Sequence, residues 1–367
     1  MGKETYTGDV AFEVRGHLGL ITLNRPNALN SLTQLMCESI RIQLEDWADD
    51  DAVAQVLIRG AGERGLCAGG DIVGVYQDMV EHQGQDGGPL LPEGTPGYRA
   101  DFETEAFWAV EYAMNLLISE YPKPYIALMD GVVLGGGVGV SAHGSHRIVT
   151  ERSRVGMPET TIGFSPDVGG SWLLARAPGK LGLHAGLTGA HLSAADAIYA
   201  GLADTHVPTE RLEELVTELT AQPVEEVLPK FSTSPGDSAL QSAQEWIDQA
   251  YAADEVSEIL ERLDQLGQQY PEAVAAAEEL RKKSPTMLQV VFRAVGNAAE
   301  LSLAGALSQE YTIAMHSLRS QDFREGIRAQ VVDKDRNPQW NPPSVEQVDE
   351  ELIAHYFTPV PGRVLTL

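Results

Sequence analysis

Two glycine-rich segments, each placed after an apolar stretch, restrict the folds open to this chain more than any other feature. Gly131–Gly139 (GVVLGGGVG) follows the apolar run Tyr125–Met129, and Leu66–Asp71 (LCAGGD) comes after the run Ala54–Arg59. Glycine weakens the interior of helices and strands but permits tight turns, so both segments are expected where a strand ends and a helix begins. Repeated strand–loop–helix units with apolar strands predict an α/β fold.

The amino-terminal residues predict a hairpin followed by a helix. Val10–Val14 and Gly19–Leu23 alternate apolar and polar side chains around a turn at Gly16. Asn30 or Ser31 can cap the helix that follows, because their side chains accept hydrogen bonds from free backbone N–H groups.

The composition changes after about residue 206, where charged, mostly acidic helical segments begin and apolar residues recur every three or four positions. We therefore predict an α/β core at residues 1–205 and a helical region at residues 206–367 that packs on it. Residues 83–97 are rich in Gly and Pro and lack periodicity, which is typical of a surface insertion.

Charge excludes several classes of partner. Lys and Arg number 26 against 53 Asp and Glu, and the resulting net charge of -27 disfavours nucleic-acid binding. It also repels coenzyme A, unless helix N-termini or local cations such as Arg25, Lys282 and Lys283 bind the phosphates.

The two cysteines and the polar N-terminus predict a cytoplasmic protein. The longest uncharged apolar stretch, residues 131–145, is too short to span a membrane.

The two glycine segments could together form an oxyanion hole. A strand-to-helix junction presents backbone N–H groups that have no partner within the helix. Two such junctions could direct two donors at one carbonyl oxygen. The simpler interpretation, that the glycines only allow tight turns and close packing, stays open at this point.

Two carboxylates lie within the constrained segment MPETTIGFSPDVGG, at Glu159 and Asp167. Paired carboxylates suit general acid–base or nucleophilic work. The structural alternatives are an exposed loop charge for Glu159 and a helix N-cap for Asp167.

Other catalytic arrangements have less support. Gly137, Gly139 and Ala142 imitate a dinucleotide-binding fingerprint, but the next acid, Glu159, comes too late in the chain. Cys67 could act as a nucleophile with a nearby histidine, although a packed thiol is the simpler interpretation. No Cys/His cluster has the spacing of metal ligands, and no metal is expected.

These segments resemble the crotonase superfamily of enoyl-CoA hydratases and isomerases, over about residues 10–357 and in matching order. The motifs ITLNRPNALNSL, GLCAGGDI and MPETTIGFSPDVGG carry that resemblance. GGGVGVSAHG, KKSPTMLQVVFRA and SQDFREGIRAQVVDKDRNPQW resemble, more narrowly, the branch of 3-hydroxyisobutyryl-CoA hydrolases. The resemblance implies a spiral of ββα units followed by helices. It also implies an acyl-CoA substrate that brings its own coenzyme A, with no separate cofactor.

The resemblance implies a role for each candidate residue. The backbone N–H groups of Cys67 and Gly136 would bind the thioester oxygen, and Glu159 matches the catalytic acid shared by hydratases and hydrolases. Hydratases carry a second glutamate at the position of Gly139, whereas Asp167 matches the hydrolase branch.

Thioester hydrolysis of 3-hydroxyisobutyryl-CoA, or of a similar short 3-hydroxyacyl-CoA in valine catabolism, is the activity that the resemblance implies. Expected substrate contacts are Glu111, Gly136, Glu159 and Asp167, although Glu111 alone reads as a solvated helix charge. Alternatives are an enoyl-CoA hydratase or isomerase and, from another class, a non-catalytic nucleic-acid-binding member of the fold. Proteins of this fold often form trimers or their dimers, so a homo-oligomer is expected.

Overall fold

The computed structural model describes residues 5–6, 8–83 and 102–367; residues 84–97 of the predicted insertion lie outside the described residues. Its strands are β1 (Thr5–Tyr6), β2 (Val10–Arg15), β3 (Leu18–Leu23), β4 (Gln55–Gly60), β5 (Gly65–Cys67), β6 (Tyr125–Met129), β7 (Val132–Leu134), β8 (His146–Val149), β9 (Arg154–Gly156) and β10 (Thr205–His206).

The α-helices of the same residues are α1 (Gln34–Ala48), α2 (Ile72–Gln83), α3 (Glu103–Ser119), α4 (Gly136–Gly139), α5 (Gly170–Leu174), α6 (Leu181–Thr188), α7 (Ala194–Tyr199), α8 (Leu212–Leu219), α9 (Val224–Val227), α10 (Ala239–Tyr251), α11 (Val256–Leu266), α12 (Pro271–Leu280), α13 (Pro285–Ala298), α14 (Leu303–Ser317), α15 (Gln321–Ile327) and α16 (Glu350–Tyr356). Short 3-10 or π turns include one at Glu159–Ile162.

The strands form two sheets, and from β4 onward consecutive strands belong to the two sheets alternately. The larger sheet has the order β1-β2-β3-β4-β6-β8-β10, and the smaller has the order β5-β7-β9. The pairs β1–β2 and β2–β3 are antiparallel, whereas the strands from β3 onward pair in parallel. The pairs β4–β5, β6–β7 and β8–β9 therefore each give one strand to each sheet before the chain turns back. This arrangement confirms the predicted α/β class of repeated ββα units.

The hairpin prediction is confirmed, but the predicted cap of the next helix is wrong. Helix α1 begins after Thr33, whose side chain accepts from the N–H of Met36. Leu29 and Asn30 both have positive φ, so they form a turn that delays the helix. The buried Asn30 amide instead donates to the carbonyls of Ala61 and Gly65.

The chain divides into two compact units of three segments each. The first comprises Met1–Gly70, Val110–Gly156 and His191–Gln241; the second comprises Asp71–Ala109, Met157–Ala190 and Ser242–Leu367. This division differs from the predicted boundary at residue 205. The physical reason is that residues just beyond it join the first unit, since β10 pairs with β8 and α8 and α9 pack on the large sheet.

Each unit has its own apolar core. In the first unit, sheet side chains meet those of α8 and α9 in a buried cluster that includes Leu20, Leu57, Ile126, Ile148, Leu215, Leu219 and Val227. In the second unit, α13, α14 and α16 pack through Met287, Val290, Ala294, Ile313, Ile353 and Tyr356. Within the described ranges, no helix combines the length and apolar character needed to cross a membrane.

Candidate active site

The two glycine-rich loops lie in contact within the first unit. Cys67 ends β5, which pairs in parallel with β7, and Gly136 begins α4 just after β7. The carboxyl ends of parallel neighbours meet at one edge, so the two loops leave the small sheet side by side. A Cβ on Gly137 would lie 2.3 Å from the Cys67 carbonyl oxygen. The close approach therefore requires glycine at position 137.

A carboxylate from helix α3 adjoins these loops. Glu111 is 2% exposed, and its Oε1 lies 2.6 Å from the place that a Cβ of Gly136 would take. The interpretation of Glu111 as a solvated helix charge is therefore wrong. The structure brings Cys67, Gly136 and Glu111 together, and a side chain at position 136 would displace the carboxylate.

The Cys67 side chain is buried and poorly suited to nucleophilic attack. Its Sγ lies 3.4 Å from the N–H nitrogen and 3.5 Å from the carbonyl oxygen of Gly69. Burial raises the pKa of the Cys67 thiol to about 12. Because the thiolate is the reactive form, these surroundings favour the interpretation of Cys67 as a packed thiol.

Glu159 opens the 3-10 turn Glu159–Ile162 in the second unit and is 7% exposed, so it is not an exposed loop charge. The carboxy-terminal region braces this turn. Lys283 Nζ donates to Thr161 Oγ1 over 2.7 Å, and a Cβ on Gly163 would lie 2.6 Å from the Asp322 carbonyl oxygen. A buried turn held by such contacts fixes the backbone that carries Glu159.

Asp167 also lies in the second unit and is 7% exposed. The predicted alternative, an N-cap of the next helix, is wrong. The N-cap of α5 is Gly169, and no side chain makes a cap hydrogen bond there. The backbone carbonyl of Asp167, rather than its carboxylate, accepts from Gly170 N at 2.6 Å.

Sequence reasoning missed a further buried carboxylate close to this loop. Glu310 of α14 accepts hydrogen bonds from Gly169 and Ser171, and it is 1% exposed. The sequence could have indicated this burial. Position 310 lies on the same helix face as four apolar residues, Ala306, Leu307, Ile313 and Ala314.

The suggested coenzyme A contacts are not all accessible. Lys283 is 3% exposed and pairs with Glu279 at 2.6 Å, so its ammonium is already used inside the second unit. Lys282 remains 67% exposed. Arg25 donates to the Ser31 carbonyl at 2.7 Å. Across the described residues, no three His, Cys, Asp or Glu side chains are grouped to hold a metal ion.

Comparison with known proteins identifies the class. Residues 18–357 match the sequence profile described as enoyl-CoA hydratase/isomerase. The chain therefore belongs to the enoyl-CoA hydratase/isomerase family, as its motifs predicted.

Within that family, the chain is similar to curated mitochondrial 3-hydroxyisobutyryl-CoA hydrolases. It is 38% identical to the protein of Danio rerio over 98% of this chain and 92% of that protein. It is 35% identical to the protein of Homo sapiens over 97% of this chain and 90% of that protein. The predicted resemblance to this branch is confirmed.

Two solved structures share the fold over almost the whole chain. A carnitinyl-CoA dehydratase from Mycobacterium thermoresistibile is 44% identical with a TM-score of 0.89, covering 98% of this chain and 99% of that one. An enoyl-CoA hydratase from Rhodobacter sphaeroides is 37% identical with a TM-score of 0.85, covering 98% and 100%. The predicted crotonase-like fold is confirmed.

Proposed function

We propose that this protein hydrolyses the thioester of 3-hydroxyisobutyryl-CoA, or of a similar short 3-hydroxyacyl-CoA, to the free acid and coenzyme A. The observation that carries the proposal is the match, over nearly the full chain, to curated relatives named for that reaction. We further propose that the reaction serves valine catabolism.

The oxyanion hole is proposed on the contact between the two glycine loops. The N–H groups of Cys67 and Gly136 would donate to the thioester oxygen, which gains negative charge as the carbonyl carbon is attacked. Glu111 would contact the substrate beside Gly136, where its buried carboxylate already lies. A carboxylate accepts hydrogen bonds, so the 3-hydroxyl of the acyl group is a suitable donor for it.

Glu159 is proposed as the group that starts the reaction, and two routes are open. In the first, its carboxylate attacks the thioester carbon, the thiolate of coenzyme A leaves and takes up a proton, and water then hydrolyses the resulting anhydride. In the second, Glu159 takes a proton from a water molecule that attacks the same carbon. Asp167 would orient the water or the 3-hydroxyl in both routes.

The competing function is hydration or isomerisation of an enoyl-CoA. One of the two solved relatives is named an enoyl-CoA hydratase and the other a carnitinyl-CoA dehydratase. Addition of water to a double bond requires one group to activate water and another to protonate the α-carbon. Gly139, at the end of the buried helix α4, offers no side chain for the second task. This feature supports hydrolysis over hydration.

We propose that the small-molecule partner is an acyl-CoA and that the reaction needs no cofactor and no metal. We also propose that the protein forms a homo-oligomer, binds neither nucleic acid nor a membrane, and works in the cytoplasm. The net charge of -27 supports the absence of nucleic-acid binding, and a gel shift at low salt would test it. The curated relatives are named as mitochondrial, so cell fractionation is needed for the location.

Conservative variants of the two carboxylates test the proposed roles. Glu159→Gln and Asp167→Asn keep side-chain size but remove basicity, so each should lower kcat by about 10²–10⁴ while KM changes little. Glu245→Gln makes the same kind of change at an exposed position of α10 and should leave kcat unchanged. Near-normal kcat in either active-site variant, measured as thiol release, would remove that residue from the mechanism.

A further inference from the structure

Glu310 occupies a place where a carboxylate is costly. It lies on α14 between apolar neighbours that include Leu307, Ile313 and Ala314, and it is 1% exposed. An ionisable side chain is rarely buried to this extent unless hydrogen bonds or a charge partner compensate for lost hydration. The hydrogen bonds that compensate for the lost hydration of Glu310 therefore indicate its role.

Among the residues that the structure describes, the hydrogen-bond donors to Glu310 all belong to the segment that immediately follows Asp167. Its Oε2 accepts from Gly169 N at 2.7 Å, and its Oε1 accepts from Ser171 N at 2.9 Å and from Ser171 Oγ at 2.5 Å. Backbone N–H groups that converge on one acceptor form a nest, and here the acceptor is the protein's own Glu310 carboxyl group. The carboxylate thus fixes two backbone positions within four residues of Asp167.

The segment that Glu310 holds has an unusual backbone. Val168 has φ of 52° and Gly169 has φ of 79°. A left-handed conformation is an outlier for a β-branched residue such as Val168, and it persists only when the surrounding structure enforces it. Glu310 holds the two positions Gly169 and Ser171, which follow Val168 directly on its carboxyl-terminal side.

We propose that Glu310 is a positioning residue, which holds the strained Val168–Gly169 turn and thereby fixes the direction of the Asp167 carboxylate. This inference rests on the proposed function, since it assigns Glu310 a part in the same reaction. Glu310 acts through Asp167 and takes no part in bond making or breaking. The helical carboxy-terminal region thus contributes to the chemistry as well as to the packing of the second unit.

The same surroundings change the pKa of Glu310. Burial raises the pKa of Glu310 to about 8, its hydrogen bonds to Ser171 and Gly169 oppose that rise, and the charge of Asp167 adds to it.

Glu310→Gln is the variant that tests the proposal. An amide keeps the size of the side chain and one acceptor oxygen, but its NH2 group cannot accept the N–H of Gly169 or Ser171. Small displacements of a reacting group cost up to about 10² in rate, so we expect kcat for thiol release to fall by about 10–10² with KM within twofold. Thermal unfolding would verify that the variant is folded.

A double-mutant cycle separates positioning from a general structural role. If Glu310 acts through Asp167, then Glu310→Gln should cost less than about twofold in an Asp167→Asn background, measured in single turnovers with excess enzyme. Equal losses in both backgrounds, or a normal kcat for folded Glu310→Gln, would overturn the proposal. If Glu310→Gln does not fold, Ser171→Ala removes one of the three hydrogen bonds. It should show a smaller loss with the same dependence on Asp167, and equal losses would again refute the idea.

A crystal structure of Glu310→Gln gives a readout that does not depend on the reaction. The turn at Val168 should leave the left-handed region, and its unchanged retention would contradict the proposal. If wild-type protein released no thiol from any short 3-hydroxyacyl-CoA, the proposed function would fail, while this structural outcome would still decide the role of Glu310.

Discussion

Alanine at position 137 tests the contact between the two glycine loops most sharply. Its Cβ would lie 2.3 Å from the Cys67 carbonyl oxygen, about 1 Å short of the 3.4 Å at which ordinary contact begins. The obstacle is backbone, so the loops must separate by about that distance. A displacement of about 1 Å in a catalytic arrangement costs about 10² in rate, and loss of one oxyanion donor costs about 10²–10³. We therefore expect kcat of Gly137→Ala to fall by at least about 10².

The assay compares thiol release with the free energy of unfolding on the same samples. Overpacking typically costs about 1–3 kcal/mol, which should leave Gly137→Ala folded. Gly296→Ala is a matched control, because position 296 lies in α13 with no atom within 4 Å of an added Cβ. The control should keep its kcat and gain about 0.5–1 kcal/mol of stability. A near-normal kcat for Gly137→Ala would refute the oxyanion-hole assignment of these loops.

Two further predictions concern buried side chains. Cys67→Ala keeps the backbone N–H, so kcat should stay within about threefold of wild type; complete loss of turnover in a folded variant would restore the thiol as nucleophile. Burial lowers the pKa of His184 to about 4 from 6.5, which favours neutral imidazole in the folded state. The stability that His184 contributes is therefore present above pH 6.5 and is lost as the pH falls towards 4, by on the order of 3 kcal/mol. Urea unfolding should show a shallower loss of stability between pH 7 and pH 4.5 for His184→Gln, and identical slopes would contradict the assignment.

The hairpin and both glycine junctions could be predicted because their signals are local. Alternation around Gly16 and three consecutive glycines determine the backbone within a few residues. The use of Asn30 could not be predicted in the same way. Its amide binds carbonyls 31 and 35 residues further along the chain, whereas the sequence suggested a cap for its own helix.

The contacts that hold the backbone near Glu159 and Asp167 could not be predicted from the sequence either. The sequence suggests that Lys283 is an exposed cation beside Lys282. In the structure it donates a hydrogen bond to Thr161, which lies 122 residues earlier in the chain. Glu310 reaches Ser171 across 139 residues. Contacts at such separations follow from tertiary packing, which periodicity does not encode, so sequence suggested the carboxylates but not what holds them. The division of each unit into three chain segments could not be predicted for the same reason, because the pairing of β10 with β8 is non-local.

The most direct test of the account is a comparison of two reactions on one sample of purified protein. Thiol release from 3-hydroxyisobutyryl-CoA follows hydrolysis, and loss of the enoyl thioester's ultraviolet absorbance from crotonyl-CoA follows hydration. Because Gly139 supplies no second carboxylate, we expect hydrolysis to be faster by about 10² or more, with both rates measured without added metal or nucleotide. Faster hydration would mean that Asp167 supplies the missing acid, and it would contradict the assignment of this protein to thioester hydrolysis.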